Sequence, residues 1–407
     1  VTSTGQRIKE LRRAQRMSQA DLATAMNRSE SWVSQVERGV QPVERLSVLQ
    51  ALADALGVAT RDIRPDSASE AEPEPEPERP ASNDLDALRV ALTGHPALAS
   101  LFGEHTPGEQ TSLRDFRQEV DQVWELVHES SYAALSDRIS TLLPKLEAAV
   151  RHAPAADLGE LHELRARAYQ VAAASFVRQD EPDAAWVAAD RALQAAEQAG
   201  KPLEVVASLF RMAHAFIRQQ HVEQAEHAAS SAVSVLAPRA EAATCPPEEL
   251  SLLGAMNLVL AVICSREGNR KQTHQHIENA RRIAKRIGED RNDFDTEFGP
   301  TNVELHAVST AVDLGDAGLA LEVAADVDAS GLSPERQSRF LLDVARAHAQ
   351  RRHVGEAVAA LVEAELLAPE QIRTHHHARD VMRELIQLSG SRPPAQLTEL
   401  AERSAVS

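Results

Sequence analysis

The 407-residue sequence predicts an all-α protein in which a five-helix N-terminal domain is joined by a flexible acidic linker to a long α-solenoid. Three observations carry that prediction. Hydrophobic residues make up 43% of the chain and aromatics only 3%, with alanine abundant. Such a composition favours closely packed helices over sheets. A Glu-Pro run interrupts the chain after residue 65, and beyond it small residues recur at fixed offsets.

The first domain, residues 1–65, reads as short helices with tight connections. Gly5–Gln15 places Ile8 and Leu11 at helical spacing. Ser18 caps a second helix running to about Met26, with Asp21 at the capping-box position. Asn27 tolerates the left-handed conformation of a tight turn. Ser29 caps a third helix that runs to Arg38 and stops at Gly39. Pro42 precedes a fourth helix bearing Leu46, Leu49, Leu52 and Leu56 and ended by Gly57. A fifth turn is expected over Thr60–Ile63.

Asp66–Asp84, DSASEAEPEPEPERPASND, is the clearest boundary. Its prolines lack the N–H a helix interior needs, and its like charges repel, so an extended spacer is expected. An acidic interaction motif is the other reading. Charge divides at this boundary. Residues 1–65 carry ten Lys/Arg against seven Asp/Glu, while residues 66–407 carry 33 against 54, within a total of −18. A weakly basic module on an acidic body suits local contact with DNA.

The run SQADLATAMNRSESWVSQVERG, followed by LADALGV, resembles the phage-repressor (XRE/Cro) helix-turn-helix over residues 5–64. Ala23 stands where the second and third helices cross, and Leu22, Val33 and Val36 face the core. The resemblance makes Arg12 and Glu37 a partly buried ion pair that fixes the angle between the first and third helices. Asn27 and Arg16 depart from the family's glycines. In this family the N-terminal residues of the third helix meet base edges in the major groove. The resemblance therefore assigns Glu30, Ser31, Ser34 and Gln35 to bases and Gln19 to phosphate. Arg28, Trp32 and Arg38 follow as backbone contacts, with packing between domains as the alternative role for Trp32. A homodimer on a double-stranded DNA operator, with half-sites about one DNA turn apart, is implied.

Residues 85–407 form the second domain. Ala173, Ala185 and Ala192 are separated by 12 and then 7 residues. The offsets recur as Ala213, Ala225, Ala232; Ala261, Thr273, Ala280; Val308, Ala320, Val327; and Ala345, Ala357, Ala364. Small residues at these positions let antiparallel helices, and then successive pairs, approach closely. Ser112–His152 reads as a degenerate first repeat and Arg373–Leu388 as a terminal capping helix. With Phe176 and Phe216 three residues past the first position, the pattern resembles tetratricopeptide (TPR) repeats over roughly residues 158–372. First positions lie 40, 48, 47 and 37 residues apart, beyond the usual repeat of about 34. The combination resembles TPR-bearing XRE regulators of actinomycetes and, more distantly, the peptide-responsive RRNPP group, whose TPR groove binds a signal.

The concave groove should be lined by the first helix of each pair. One inward position gives Arg178, Arg218 and Arg266, and Arg167, Arg339 and Arg346 fall at others. Such arginines suit an anionic small ligand or peptide, or else pair with acidic neighbours and bind nothing. Phe210 and His214 join the candidate lining. Gly299 and Pro300 of FGPTNVELH open a helix whose free N–H groups suggest an anion site, with Asn302 and His306 one turn apart. In DRNDFDTEFG, Phe298 stands where a calcium loop needs glycine. His375, His376 and His377 point about 100° apart on a helix, so a polar surface and no metal is expected.

No cofactor and no enzymatic activity are expected, since nucleophile elbow, phosphate loop and metal cluster are all missing from the sequence. No window of about 18 uninterrupted apolar residues suggests a membrane span, and no leader-like apolar stretch opens the chain. Two cysteines without CxxC spacing suit a reducing cytoplasm. The expected function is a ligand-responsive transcription regulator. The alternative is a DNA-localised scaffold whose repeats bind a partner protein.

Overall fold

The computed structural model describes residues 4–26, 28–41, 43, 46–58, 63, 85–93, 111–390 and 392–406. These contain twenty α-helices and no strand. The expected linker, Asn27, Pro42 and most of the fifth turn lie outside the described residues.

In the N-terminal domain, α1 (Thr4–Ala14), α2 (Gln19–Ala25), α3 (Glu30–Glu37) and α4 (Leu46–Leu56) enclose their own core. Ile8, Leu22, Val33, Val36, Leu49, Leu52 and Leu56 are all buried in it. The capping box exists: Ser18 Oγ accepts from Asp21 N at 3.0 Å, and Asp21 accepts from Ser18 N at 2.8 Å. Ser29 Oγ accepts from Trp32 N at 3.1 Å and starts α3. Gly39 and Gly57 take φ of +74° and +66° at the ends of α3 and α4. Arg16, standing where the resemblance expects glycine, takes φ +58°.

The remaining chain stacks helix pairs. α5 (Asp86–Thr93) packs Leu88 and Leu92 into the core formed by α6 (Leu113–His128) and α7 (Tyr132–His152). Five further pairs follow: α8 (Ala155–Arg178) with α9 (Pro182–Ala199), α10 (Pro202–Arg218) with α11 (Val222–Ala240), and α12 (Pro247–Arg266) with α13 (Arg270–Ile287) complete the first three. α14 (Pro300–Asp313) with α15 (Ala317–Ala325), and α16 (Pro334–Gln350) with α17 (Val354–Leu367), complete the set. Every alanine of the repeat pattern is buried, because these are the points where neighbouring helices cross. Val327 departs from the pattern: α15 stops at Ala325, so the valine lies beyond the helix and is only half-buried.

α12 is long and apolar enough to cross a membrane, yet 89% of its apolar window is buried among other helices. Its Gly254 lets the Phe298 ring fill the space a Cβ would take. α18 (Pro369–Thr374), α19 (His376–Ser389) and α20 (Ala395–Arg403) close the C-terminal end. The expected capping helix, Arg373–Leu388, is α19, which starts at His376, and two shorter helices flank it.

A candidate recognition-helix face and a cationic cavity

Two candidate arrangements of side chains stand out, and the first is α3. Gly5 sets its position, since a Cβ there would overlap the Val36 carbonyl oxygen. α1 therefore crosses the end of α3 at backbone contact. The same crossing is tied by Arg12, whose Nε and Nη2 both donate to the Glu37 carboxylate, the latter at 2.9 Å. Arg12 Nη1 also donates to Met17 O at 2.7 Å. Burial pushes the Glu37 carboxyl up, but hydrogen bonds from Arg12 and Gln19 and the Arg12 charge outweigh it. The net pKa is below the ordinary value.

One face of α3 lies against the solenoid. Ser31 Oγ donates to Gly315 O at 3.2 Å, and Gln41 Nε2 donates to the Arg266 carbonyl. Trp32 and Gln35 are each only 2% exposed. A Cβ at Gly268 would come within 2.5 Å of Trp32 Cδ1.

The second arrangement is a cavity of about 120 Å³ inside the solenoid, between α8, α10, α12, α14, α16 and the segment leading into α19. Six arginines line it (Arg178, Arg218, Arg266, Arg336, Arg339 and Arg346) against two aspartates, Asp313 and Asp343. Arg346 takes both aspartates, at 2.6 and 2.7 Å. Glu335, fully buried behind the wall, is shared by Arg178 at 3.1 Å and by Arg336 and Arg339 at 3.6 Å. Burial opposes its charge, but the three arginines prevail and hold it well below the carboxylate range. Arg218 pairs with Asp180 at 3.1 Å. Arg266 donates to Ile217 O at 3.2 Å, and among the described residues no carboxylate pairs with it.

Four histidines complete the lining: His214, His306, His375 and His377. Burial, and then the neighbouring arginines, push all four down, His306 to about 3. They are neutral near pH 7 and offer hydrogen bonds rather than charge. Asn302, 2% exposed, also reaches the cavity, and its Oδ1 has no partner among the described residues.

A family described as a helix-turn-helix domain matches residues 4–65. Residues 4–65 are a helix-turn-helix domain. No curated protein matches the chain. A solved structure of a mutant of the protein PrgX aligns over 98% of this chain and 100% of that one. Its identity is 10% and its TM-score 0.24, too loose a superposition to speak for shape or function.

The face of the helix-turn-helix domain divides in two. Glu30 and Arg38 are exposed and Ser34 half-exposed, whereas Ser31, Trp32 and Gln35 face the solenoid. Arg28 is half-buried with its guanidinium 5.8 Å over the Trp32 ring, and burial lowers its pKa. Gln19 donates to Glu37 at 2.8 Å, so it braces the ion pair rather than standing free.

In the solenoid, Arg178, His214, Arg218, Arg266, Asn302, His306 and Arg346 all converge on the one cavity. Phe210 lines a smaller adjoining space of about 30 Å³. Arg167 lies away from both and pairs with Asp121 at 2.9 Å. Two expectations are corrected. The N-terminus of α14 is not a vacant anion site, because Thr301 N and Oγ1 already donate to Asp290 at 3.0 and 2.6 Å. Nor are the three histidines a polar outer surface. The chain folds back after α18, so His375 and His377 meet the cavity and Arg218 lies 3.2 Å from His376 Nε2.

Arg336, Phe340 and Asp343 were missed by sequence reasoning, although with Arg339 and Arg346 they form one stripe along α16 at helical spacing. No comparable signal marks His375 or His377.

Proposed function

We propose that this protein is a sequence-specific DNA-binding transcription regulator whose solenoid takes a small anionic ligand that alters operator binding. The observation that carries the reading is the pairing of a helix-turn-helix domain with a cavity lined by six arginines and two aspartates. The exposed Glu30 and half-exposed Ser34 stand at the start of α3, where such a helix meets base edges. Glu30 suits the amino group of cytosine, and Arg38 suits a phosphate.

Arginine forks recognise carboxylate or phosphate through paired hydrogen bonds. A cavity of about 120 Å³ has room for roughly ten waters at 10–15 Å³ each, which favours a compact polar anion over a peptide. A cytoplasmic homodimer is the form in which such a regulator would meet its operator.

Selection of bound sites from a random pool of duplex DNA tests the reading. The protein is to be used at high concentration, with inorganic phosphate or citrate present and absent. A recurring motif that weakens in a Glu30→Ala, Ser34→Ala variant is expected. Enrichment without a motif, or indifference to both substitutions, would contradict it.

A further inference from the structure

Part of the recognition face of α3, at Ser31, Trp32 and Gln35, is covered by the solenoid, and the residues that cover it are tied to the cavity wall. Two turns make the contact. The first follows α12, where Arg266 O accepts from Gln41 and Gly268 lies flat against the Trp32 ring. The second follows α14, where Gly315 O accepts from Ser31. A Cβ on Gly315 would overlap Ser31 Oγ and Gln35 Nε2. Both glycines have left-handed backbones, φ +68° and +81°. Each turn thus brings bare backbone to the helix. Arg270 and Asp316, paired with each other, link the two turns.

This surface cannot serve two partners. An α-helix in the major groove presents the start of its solvent face to base edges. Here Trp32 and Gln35 on that helix are each 2% exposed. Bound DNA and the docked solenoid therefore exclude each other over Ser31, Trp32 and Gln35.

The same turns end helices that wall the cavity. Arg266 puts its side chain into the cavity while its carbonyl holds Gln41. Asp313, two residues before Gly315, pairs with Arg346 across the cavity. An anion taken up by Arg346 would compete with Asp313, and one taken up by the Arg266 guanidinium would shift the residue whose carbonyl holds Gln41.

We infer that the solenoid is the DNA-binding domain's own inhibitor. It holds α3 closed on the turns at Gly268 and Gly315, and an anion in the cavity loosens those turns. The inference rests on the proposed reading of α3 as a DNA-reading helix. With the docked form populated to roughly 90%, apparent DNA affinity falls about tenfold below that of the free face.

Gly268→Asn in the full chain is the direct test. Asparagine tolerates the left-handed backbone, and its side chain would displace Trp32. Two readouts are taken: acrylamide quenching of Trp32 in a Trp124→Phe, Trp186→Phe background, and affinity for a random-sequence duplex pool at fixed salt. The expected result is stronger quenching together with DNA binding tighter by about tenfold. Stronger quenching with unchanged binding of a DNA-binding protein would overturn the inference and leave the DNA reading intact. Stronger quenching with no DNA binding by either protein would instead remove the DNA reading. Strong Trp32 quenching already in the parent would show that the face is open, against the inference. Should Gly268→Asn fail to fold, Gln41→Ala removes the hydrogen bond to Arg266 O at the same turn without altering its backbone, and the same outcomes apply.

Discussion

The N-terminal domain and the solenoid both bury arginine, but they treat it differently. Arg12 meets one carboxylate with two of its nitrogens and a carbonyl with the third, and Gln19 completes the Glu37 side. In the cavity, Arg178, Arg336 and Arg339 share Glu335, Arg336 also meets Glu297 at 3.1 Å, and Arg266 finds only a backbone carbonyl. The first pattern is closed, holding an angle between two helices and asking for nothing more. The second leaves donors and positive charge facing the cavity, beside an unpartnered Asn302 oxygen.

That contrast can be broken most severely at Arg12. Arg12→Ala leaves Glu37 buried without its cation and should cost about 3–5 kcal/mol. Urea denaturation should then show the helix-turn-helix domain melting ahead of the solenoid.

In the cavity the same substitution should sort by partner. Arg346→Ala strands Asp313 and Asp343 and should lower the solenoid's stability by about 3 kcal/mol. Arg266→Ala strands no carboxylate and should stay within about 1 kcal/mol of the parent, while weakening calorimetric binding of inorganic phosphate or citrate. A large stability loss at Arg266 would show that its role is structural.

Titration sharpens the contrast further. His214, His306, His375 and His377 have folded pKa values pushed below the ordinary value of 6.5. Below that pH the unfolded chain binds protons that the folded chain refuses, so stability is complete above about pH 6.5 and falls as pH drops. The melting temperature should decline between about pH 7.5 and 5.5, less steeply in a His375→Asn, His377→Asn variant. Added phosphate should shrink the decline, since an anion favours the protonated rings.

Glu204 runs the other way and has the smallest effect. Burial raises its pKa to about 7, partly offset by the hydrogen bond from Gln170 Nε2 at 3.0 Å. Its contribution is present below the unfolded value of 4.5 and is lost as pH rises through about 7. Glu204→Gln should therefore raise stability by about 1 kcal/mol at about pH 8 and change little near about pH 4.5. Thermal melts at the two pH values check the sign.

Local chemistry made the N-terminal domain legible in the sequence. Ser18, Asp21, Ser29, Gly39 and Gly57 each satisfy or release backbone groups within a few residues of themselves. Gly5 was not legible, because what requires glycine there is the Val36 carbonyl, far along the chain. The helix pairs were readable since each repeat meets its neighbour at the same small residues. That logic also put Arg178, Arg218 and Arg266 on one wall, and the structure brings them together. It failed at Val327, where α15 is short, and at Asp290, whose carboxylate fills the start of α14 from a loop. The fold-back that carries His375 and His377 to the cavity belongs to no repeat. Nor does any periodicity announce that Gly268 and Gly315 receive α3.

If the cavity controls α3, its occupancy changes what α3 can bind. The most direct measurement is affinity for the selected DNA site with and without citrate, at ionic strength matched with chloride because salt alone weakens DNA binding. Citrate should tighten binding several-fold in the parent and do nothing in an Arg266→Ala, Arg346→Ala double variant. Equal affinities with and without the anion in the parent, or the same response in both proteins, would contradict it.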